Sequence, residues 1–484
     1  MKKLTNILDN VAVIKIYGDT DISIDNIQFD SRETTEGSVF VALKGSVVDG
    51  HLFIDKAIGN GTKVVIFDEV NFASFIDGII YIQVADSHTS LAIIASNFYD
   101  NPSANLELIG ITGTNGKTTI ATLLYDLFSK LGYTVGLLST VVIRIGEEKI
   151  ETTHTTPDSL TINQNLAKMV AQGVTHCFME VSSHGISQKR TAGLQFNGGV
   201  FTNLTHDHLD YHKTFALYRD TKKVFFDALP KTAFALVNVD DKNGNVMLQN
   251  TKATKLSYAL KTDADYKVRI IENQLSGLLI QINNTEIWTR LIGTFNAYNL
   301  AAIFGVAMEL GLDKMETLRV ISELHSVSGR FQYKISNSGV TAIVDYAHTP
   351  DALKNVLETI NTINTNNKQV ITVVGCGGNR DKTKRPKMGF IATQLSDQVI
   401  FTSDNPRYED PNVIIEEMEA GVSEENENKY LSITNRKQAI KTACKLAMKG
   451  DILLIAGKGH ENYQIIRGEK THFDDFETVN ELLK

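Results

Sequence analysis

Cysteine is nearly absent: Cys177, Cys376 and Cys444 stand far apart in a chain of 484 residues. An odd, scattered set builds neither a disulfide framework nor the paired knuckles of a zinc site. A run of apolar residues long enough to cross a bilayer is missing too. So is any excess of positive charge. Lys+Arg number 48 against 56 Asp+Glu, a balance of −8, so no nucleic-acid backbone is expected as partner and local basic clusters read as anion pockets. The opening stretch "MKKLTNILDNVAVIKIYGD" begins with two lysines, but Asn6, Asp9 and Asn10 interrupt any signal-peptide core. The expectation is a cytoplasmic, reduced monomer acting on small molecules, without membrane or nucleic acid.

What is present is ordinary globular composition, 42% hydrophobic and 21% charged. The length predicts about three domains. "VFVAL" and "KVVIF" are short apolar runs in the first part, which ends at the polar stretch "YDNPSANLE" with Pro102. A second strand-and-helix alternation starts at "TAIVDYAHTPDAL". The expected division is 1–102, 103–331 and 332–484. In the middle part "LELIGIT" reads as a buried strand, and Ile120, Leu123, Leu124, Leu127, Phe128 and Leu131 fall at helical spacing before Gly132. "YTVGLL" is the next strand. In the last part "TAIVDY", "QVITVVG", "QVIFTSD" and "DILLIAGKG" are apolar runs, and Thr349 followed by Pro350 is a helix start. The fold class is therefore α/β: a smaller N-terminal domain, a central mostly parallel sheet of the phosphate-loop type, and a Rossmann-like C-terminal domain.

Between the first central strand and its helix lies "ITGTNGKTT". A glycine-rich turn at a helix start leaves backbone N–H groups to cradle an anion, aided by the helix dipole. Lys117 would reach the β- and γ-phosphates, and the Thr118 hydroxyl suits a magnesium ion. The common spacing asks for glycine at 111, where Ile111 stands. Glu180 ends the run "HCFME" and should project from a strand's carboxyl end near this loop. In "HDHLDYH", His206, His208 and His212 suggest zinc at first sight. The interleaved Asp207 and Asp210, with no cysteine nearby, suit magnesium better. Lys222 in "YRDTKKVFF" reads, from these residues alone, as an exposed lysine on a helix.

"TGTNGKTT" resembles the ATP-binding loop of the Mur ligase family. Further matches follow in order: "DSR" (30–32), "TTPDS" (155–159), "EVSSHG" (180–185), "DHLDYH" (207–212), "GRFQ" (329–332), "DYAHTPDAL" (345–353), "GCGGNRD" (375–381), "DNPR" (404–407) and "GKGHE" (457–461). The set is similar to the tripeptide-forming members. The resemblance implies an ATP-dependent ligase that builds peptidoglycan precursors by phosphorylating a carboxylate, so that an amine attacks the acyl phosphate. It also implies that Gly113, Thr114, Asn115, Gly116, Lys117, Thr118 and Thr119 bind ATP phosphates. Asn296, Arg330, Asp345 and His348 would meet the adenosine part. Magnesium would be held by Thr118, Glu180, His208 and Lys222, the last carbamylated by carbon dioxide, while His206 and His212 stay peripheral. Carbamylation needs a neutral amine, so a depressed pKa is expected at Lys222.

The family pattern further implies a UDP-N-acetylmuramoyl dipeptide held by Ser31, Ser46, Thr155, Thr156, Ser182, Gln188 and Arg190. His154 stands where the pattern carries asparagine. The last part would receive the incoming amino acid. Diaminopimelate has a distal carboxylate and ammonium; Arg407 offers a planar fork for the first, with Arg380 as a second candidate. Asp404 and Glu461 could pair with the ammonium, Asn405 could serve either charge, Pro406 shapes the turn, and Gly457 allows close approach. The expected reaction adds meso-2,6-diaminopimelate to UDP-N-acetylmuramoyl-L-alanyl-D-glutamate. Lysine as the added residue, a folylpolyglutamate synthetase, a nucleotide-hydrolysing switch and a silent sugar-nucleotide binder are the alternatives. The switch would use the phosphate loop but leave "GKGHE", "TTPDS" and the metal-side histidine without a role.

Overall fold

A computed structural model describes residues 1–45, 48–69, 75–152, 154–364 and 368–483. Among the described residues three large sheets follow one another along the chain, each with helices packed on both faces.

The first sheet has five strands, in the spatial order Val13–Tyr17, Ile80–Val84, Val64–Phe67, Ser38–Val41 and Asn26–Gln28. All pairings are parallel except that of Val13–Tyr17. Alternation along one strand sends Val39 and Val41 to one apolar cluster and Phe40 to the other, which is the period-two pattern of a sheet buried on both faces.

The second sheet has eleven strands. Seven parallel strands form its middle, ordered Val135–Leu138, His176–Glu180, Glu107–Thr112, Gly198–Phe201, Phe234–Asn238, Thr254–Ala259 and Tyr266–Gln274. Antiparallel strands extend both ends. Ile109 and Ile111 face helices Lys117–Lys130 and Thr294–Glu309, while Leu108 faces the opposite cluster with Ile162, Leu166, Phe225 and Phe226. Ile111 is thus a core strand residue, which explains why the loop opens only at Gly113. There φ is +145°, and a Cβ would meet the Thr202 hydroxyl at 1.9 Å, so only glycine fits.

The third sheet has six strands, ordered Gln332–Ile335, Thr341–Asp345, Ile452–Ala456, Val370–Val374, Gln398–Phe401 and Tyr430–Ser432. All but the first pairing are parallel. The predicted start at Thr349–Pro350 is a capped helix, Pro350–Ile363, with Thr349 Oγ1 accepting from the Ala352 amide at 3.3 Å. The strand latest in sequence, Ile452–Ala456, sits between Thr341–Asp345 and Val370–Val374. That order makes a topological switch, and a crevice forms outside the carboxyl ends on either side of such a strand. "DYAHTP", "GCGGNRD", "DNPR" and "GKGHE" each follow a carboxyl end of this sheet.

One ion pair locks the switch strand. Arg436 and Asp475, both 0% exposed, join through two hydrogen bonds of 2.8 and 2.7 Å, and Arg436 Nη2 also donates to the Ala456 carbonyl at 3.0 Å. Asp475→Ala strands a buried guanidinium. The expected cost is about 3–5 kcal/mol, read as lost amide-exchange protection in strand Ile452–Ala456; unchanged protection there refutes it.

Candidate active site

Parallel strands place their carboxyl ends on one edge, and the phosphate loop, Glu180 and the loop after Phe201 all occupy that edge of the second sheet. Glu180 is 0% exposed. Its Oε2 accepts from the Thr118 hydroxyl at 3.0 Å and its Oε1 from the Thr140 amide at 2.7 Å. Thr140 was invisible in the sequence, being one more hydroxyl after a strand. It also donates to Thr155 Oγ1 at 3.0 Å, so the phosphate side and the expected dipeptide side meet at this residue.

The loop itself is braced from behind. The Thr114 amide donates to the Asn203 carbonyl at 2.8 Å, and the Asn115 amide to Asn203 Oδ1 at 3.0 Å. Gly116 has φ +92° and starts the helix in which Thr119 is buried. Lys117 Nζ folds back onto the Gly113 and Thr114 carbonyls at 2.9 and 2.8 Å.

Lys222 overturns the exposed-helix reading. It is 1% exposed on helix Phe215–Asp227, because the face that carries it also carries Tyr218, Phe225 and Phe226 into the core. Its Nζ donates to the Gly113 carbonyl at 2.9 Å and lies 4.7 Å from the Tyr218 ring centroid. Two lysines therefore share one carbonyl oxygen. Burial, and then the Lys117 charge, depress the Lys222 amine well below its ordinary range against a pull from Asp207, as the desolvation of a cation beside a like charge requires.

The histidines divide. His206 is exposed. His208 takes φ +53° and sets its ring edge-on to His184, with centroids 4.8 Å apart. His212 packs on Tyr218. Desolvation pushes His208 and His212 each down to about 4, which keeps the imidazoles neutral, the form that ligates metals. Of the His208 neighbours, Tyr218 also meets the loop, through Thr114 Oγ1 at 3.2 Å.

Arg330 comes from the segment that joins the second part to the third, between helix Lys314–Glu323 and strand Gln332–Ile335. Its Nη2 donates to Thr118 Oγ1 at 3.2 Å, and its guanidinium stacks 4.4 Å from the Tyr346 ring centroid. Asp345 accepts from the Phe331 amide at 2.6 Å, and burial pushes its carboxyl up to about 6. His348 bonds the Tyr346 carbonyl at 2.9 Å through Nδ1, and burial lowers it to about 4. Asn296 is buried, and its side chain is engaged by the Ile292 carbonyl just ahead of its helix and by Asn299 within it. Tyr346, at the centre of the group, carried no signal beyond its place inside "DYAHTP".

On the dipeptide side, the Thr156 hydroxyl donates to the Glu180 carbonyl at 2.8 Å and receives the Ser182 amide at 2.9 Å. Ser182 Oγ caps the next helix through the Gly185 amide. Arg190 donates to Thr156 O and, twice, to Gln188 Oε1, so Gln188 holds the arginine in place. Ser31 is buried, its carbonyl accepting from Thr34 and Asn60. Ser46 lies outside the described residues.

In the third sheet's crevice Asp404 and Asn405 are buried, and Asn405 Nδ2 donates to Glu461 Oε2 at 2.7 Å. The acids do not stand alone as expected. Lys458, 0% exposed, reaches Glu461 Oε2 at 3.3 Å and Asp404 Oδ1 at 3.9 Å. Arg407, half-buried, donates from Nη1 to the Gly378 carbonyl at 2.7 Å, whereas Arg380 is exposed nearby in the same loop as Gly378. Pro406 packs so closely on Gly378 that a Cβ there would meet its carbonyl at 2.0 Å.

A second pair stitches these loops. The buried Arg385 donates twice to Glu409, at 3.0 Å each, and Glu409 also accepts from the Asn379 amide. The Arg385 hydrogen bonds hold the Glu409 carboxyl down at about 2, against 4.5 for the free group. A lowered carboxyl stabilises the fold above its unfolded pKa and loses that contribution as pH falls from about 4.5 to 2. Glu409→Gln should therefore be less stable than the parent at neutral pH, with the difference in unfolding free energy shrinking through that window. A pH-independent difference would contradict this.

The chain matches families described as Mur ligase family, catalytic domain over residues 23–99, Mur ligase middle domain over 111–307, and Mur ligase, glutamate ligase domain over 329–459. It is 53% identical, over 99% of both chains, to a curated Cytophaga hutchinsonii protein named UDP-N-acetylmuramoyl-L-alanyl-D-glutamate--2,6-diaminopimelate ligase. The chain belongs to the Mur ligase family. A Bacteroides fragilis protein of the same name is 52% identical over 99% of each chain. A solved structure with that title superposes with a TM-score of 0.70 at 32% identity, covering 100% of this chain and 99% of that one. As a Mur ligase the chain has the family's three-part α/β fold, and among the described residues no helix is long and apolar enough to cross a membrane.

Proposed function

We propose that the chain is an ATP-dependent ligase that joins meso-2,6-diaminopimelate to UDP-N-acetylmuramoyl-L-alanyl-D-glutamate, in peptidoglycan precursor synthesis. The observation that carries this reading is the approach of two loop sets, each at the carboxyl ends of a parallel sheet, bridged by Arg330 of the joining segment, which hydrogen-bonds Thr118 at 3.2 Å and stacks on Tyr346. One set suits phosphates and a carboxylate; the other suits an amino acid with charges at both ends. The reading assigns residues 1–102 to the uridine end of the substrate, 103–331 to ATP and 332–484 to the incoming amino acid. The relatives' names support the substrate pair.

In this reaction a glutamyl carboxylate oxygen bonds the terminal phosphorus of ATP as the bond to the β-phosphate oxygen breaks, and ADP leaves. The amine of diaminopimelate then attacks the acyl carbon, the C–N bond forms, and phosphate leaves with the C–O electron pair. Phosphoryl transfer needs positioning and positive charge more than covalent help, and Lys117 supplies one fixed cation at the loop. Thr118, Glu180, His208 and a carbamylated Lys222 would hold magnesium; the buried carboxylate and hydroxyl oxygens fit that hard ion, with the imidazole as a single nitrogen donor beside them. Bound there, magnesium would neutralise charge on the transferring phosphoryl group. Asn296, Arg330, Asp345 and His348 would receive the nucleoside, and Ser31, Ser46, Thr155, Thr156, Ser182, Gln188 and Arg190 the sugar nucleotide and peptide. Arg380, Asp404, Asn405, Pro406, Arg407, Gly457 and Glu461 would line the amino-acid pocket.

The test is purified protein with ATP, magnesium and the UDP-dipeptide, offered diaminopimelate or lysine, with product mass measured. Tripeptide is expected with diaminopimelate. Product with lysine alone removes the substrate assignment, and ATP hydrolysis indifferent to the sugar nucleotide removes the ligase.

A further inference from the structure

Lysine is seldom fully buried unless paired, and Lys458 is 0% exposed in a loop whose neighbours were expected to receive substrate. Gly457, at φ +115°, turns the chain so closely past Asp404 that a Cβ would stand 2.8 Å from Oδ2. That turn sends the Lys458 side chain inward. Its ammonium has three protons to give. Nζ reaches Asn405 Oδ1 at 3.2 Å and Glu461 Oε2 at 3.3 Å, with Asp404 Oδ1 at 3.9 Å and the Tyr463 ring centroid at 5.4 Å. Asn405 is thereby oriented: its oxygen takes Lys458 and the Ile465 amide, and its NH2 faces Glu461.

Counting charge decides what this arrangement does. Asp404 and Glu461 bring two negative charges and Lys458 one positive, leaving one negative charge for a ligand to meet. Without Lys458 two carboxylates would face each other in a buried crevice, and one would take up a proton. We propose that Lys458 is a positioning residue: a built-in counter-ion that leaves the Asp404–Glu461 end of the amino-acid pocket one net negative charge and holds Asn405 and Glu461 to receive the substrate's distal ammonium, while Arg407 serves the carboxylate. This rests on the reading of the pocket given above. Burial and Asp404 already push the Glu461 carboxyl up, against Lys458 and the Asn405 hydrogen bond. The other groups whose charges couple to this site are Tyr346, Tyr463, Cys376 and His460, the pocket arginines Arg407 and Arg380, and, behind the sheet end, Arg436. Lys458 is the cation in contact with Glu461.

The experiment is steady-state ligation by Lys458→Met and Lys458→Arg across pH 6 to 9, varying diaminopimelate at saturating ATP and UDP-dipeptide. Lys458→Met should raise KM for diaminopimelate at least tenfold, leave KM for the other two substrates within twofold, and move the acid limb of kcat/KM to higher pH. Lys458→Arg keeps the charge and should keep the acid limb in place. An unmoved KM and acid limb in Lys458→Met overturn the inference, while parent enzyme that makes no product with diaminopimelate overturns the substrate reading instead. Should Lys458→Met lack a cooperative melt, calorimetry on the parent decides. Protein loaded with UDP-dipeptide and a non-hydrolysable ATP analogue is titrated with 2-aminopimelate, which lacks the attacking amine, in buffers of different ionisation enthalpy. No proton exchange is expected; release of close to one proton per site shows a protonated acid pair and overturns the inference.

Discussion

Lys222→Ala is expected to lose ligation by about 10²–10³-fold, the usual cost of removing one charge-stabilising group from an active site, and to recover part of it with added formate or acetate. The argument begins with burial. Lys222 is enclosed by Tyr218 and the phosphate loop, shares the Gly113 carbonyl with Lys117, and its amine is depressed well below the ordinary range. A neutral amine is a nucleophile toward carbon dioxide. In the proposed carbamylation the N–C bond would form, one C=O pair would move onto oxygen, and the nitrogen would lose a proton to solvent, so that a would-be cation would become a carboxylate. That exchange would relieve the like-charge contact with Lys117 and set an anion beside it instead. Alanine leaves a space of the right shape for a small acid. Arginine cannot be neutralised at working pH, so Lys222→Arg should be inactive and unrescued. Wild-type rates in Lys222→Ala, or a loss that no small acid repairs, would end the assignment.

Arg407→Ala should raise KM for diaminopimelate by on the order of 10²–10³, corresponding to the roughly 2–5 kcal/mol lost when one partner of a buried charged pair is truncated. Arg407 is held in an uncommon conformation, φ +54°, by its amide on the Ile465 carbonyl at 3.0 Å and by its own carbonyl receiving the Arg467 amide. Strain of this kind persists where the surroundings over-determine it. Of five guanidinium N–H groups, one is spent on Gly378 O, and the planar fork remains for a carboxylate. The variant should also lose discrimination between diaminopimelate and lysine, because the lost contact is to the group lysine lacks. KM values measured for both amino acids check this; an unchanged KM for diaminopimelate sinks it.

Much of the site was legible because each motif occupies a junction governed by short-range rules. Gly113 and Gly116 mark positive φ, Thr349 and Pro350 start a helix, and Glu180 closes an apolar strand. What misled was exposure. Lys222 sits in "YRDTKKVFF", where the register from Tyr218 selects it over Lys223 but does not tell that its face is buried; Lys223 instead pairs with Asp227 one turn on. Asp404 and Glu461 are 57 positions apart and read as partners for the substrate's ammonium; the fold sets Lys458 against both.

By itself, then, the sequence determined the order of the strands and helices, the phosphate loop and the family, because these depend on periodicity, turn chemistry and the residues of single short segments. Tertiary structure alone decided that strand Ile452–Ala456 inserts between Thr341–Asp345 and Val370–Val374, that Thr140 ties Glu180 to Thr155, and that Lys222 and Lys458 lose their water. The reason is physical: burial and charge state are set by neighbours brought from distant parts of the chain, and no local pattern records which neighbours a sheet's spatial order will supply.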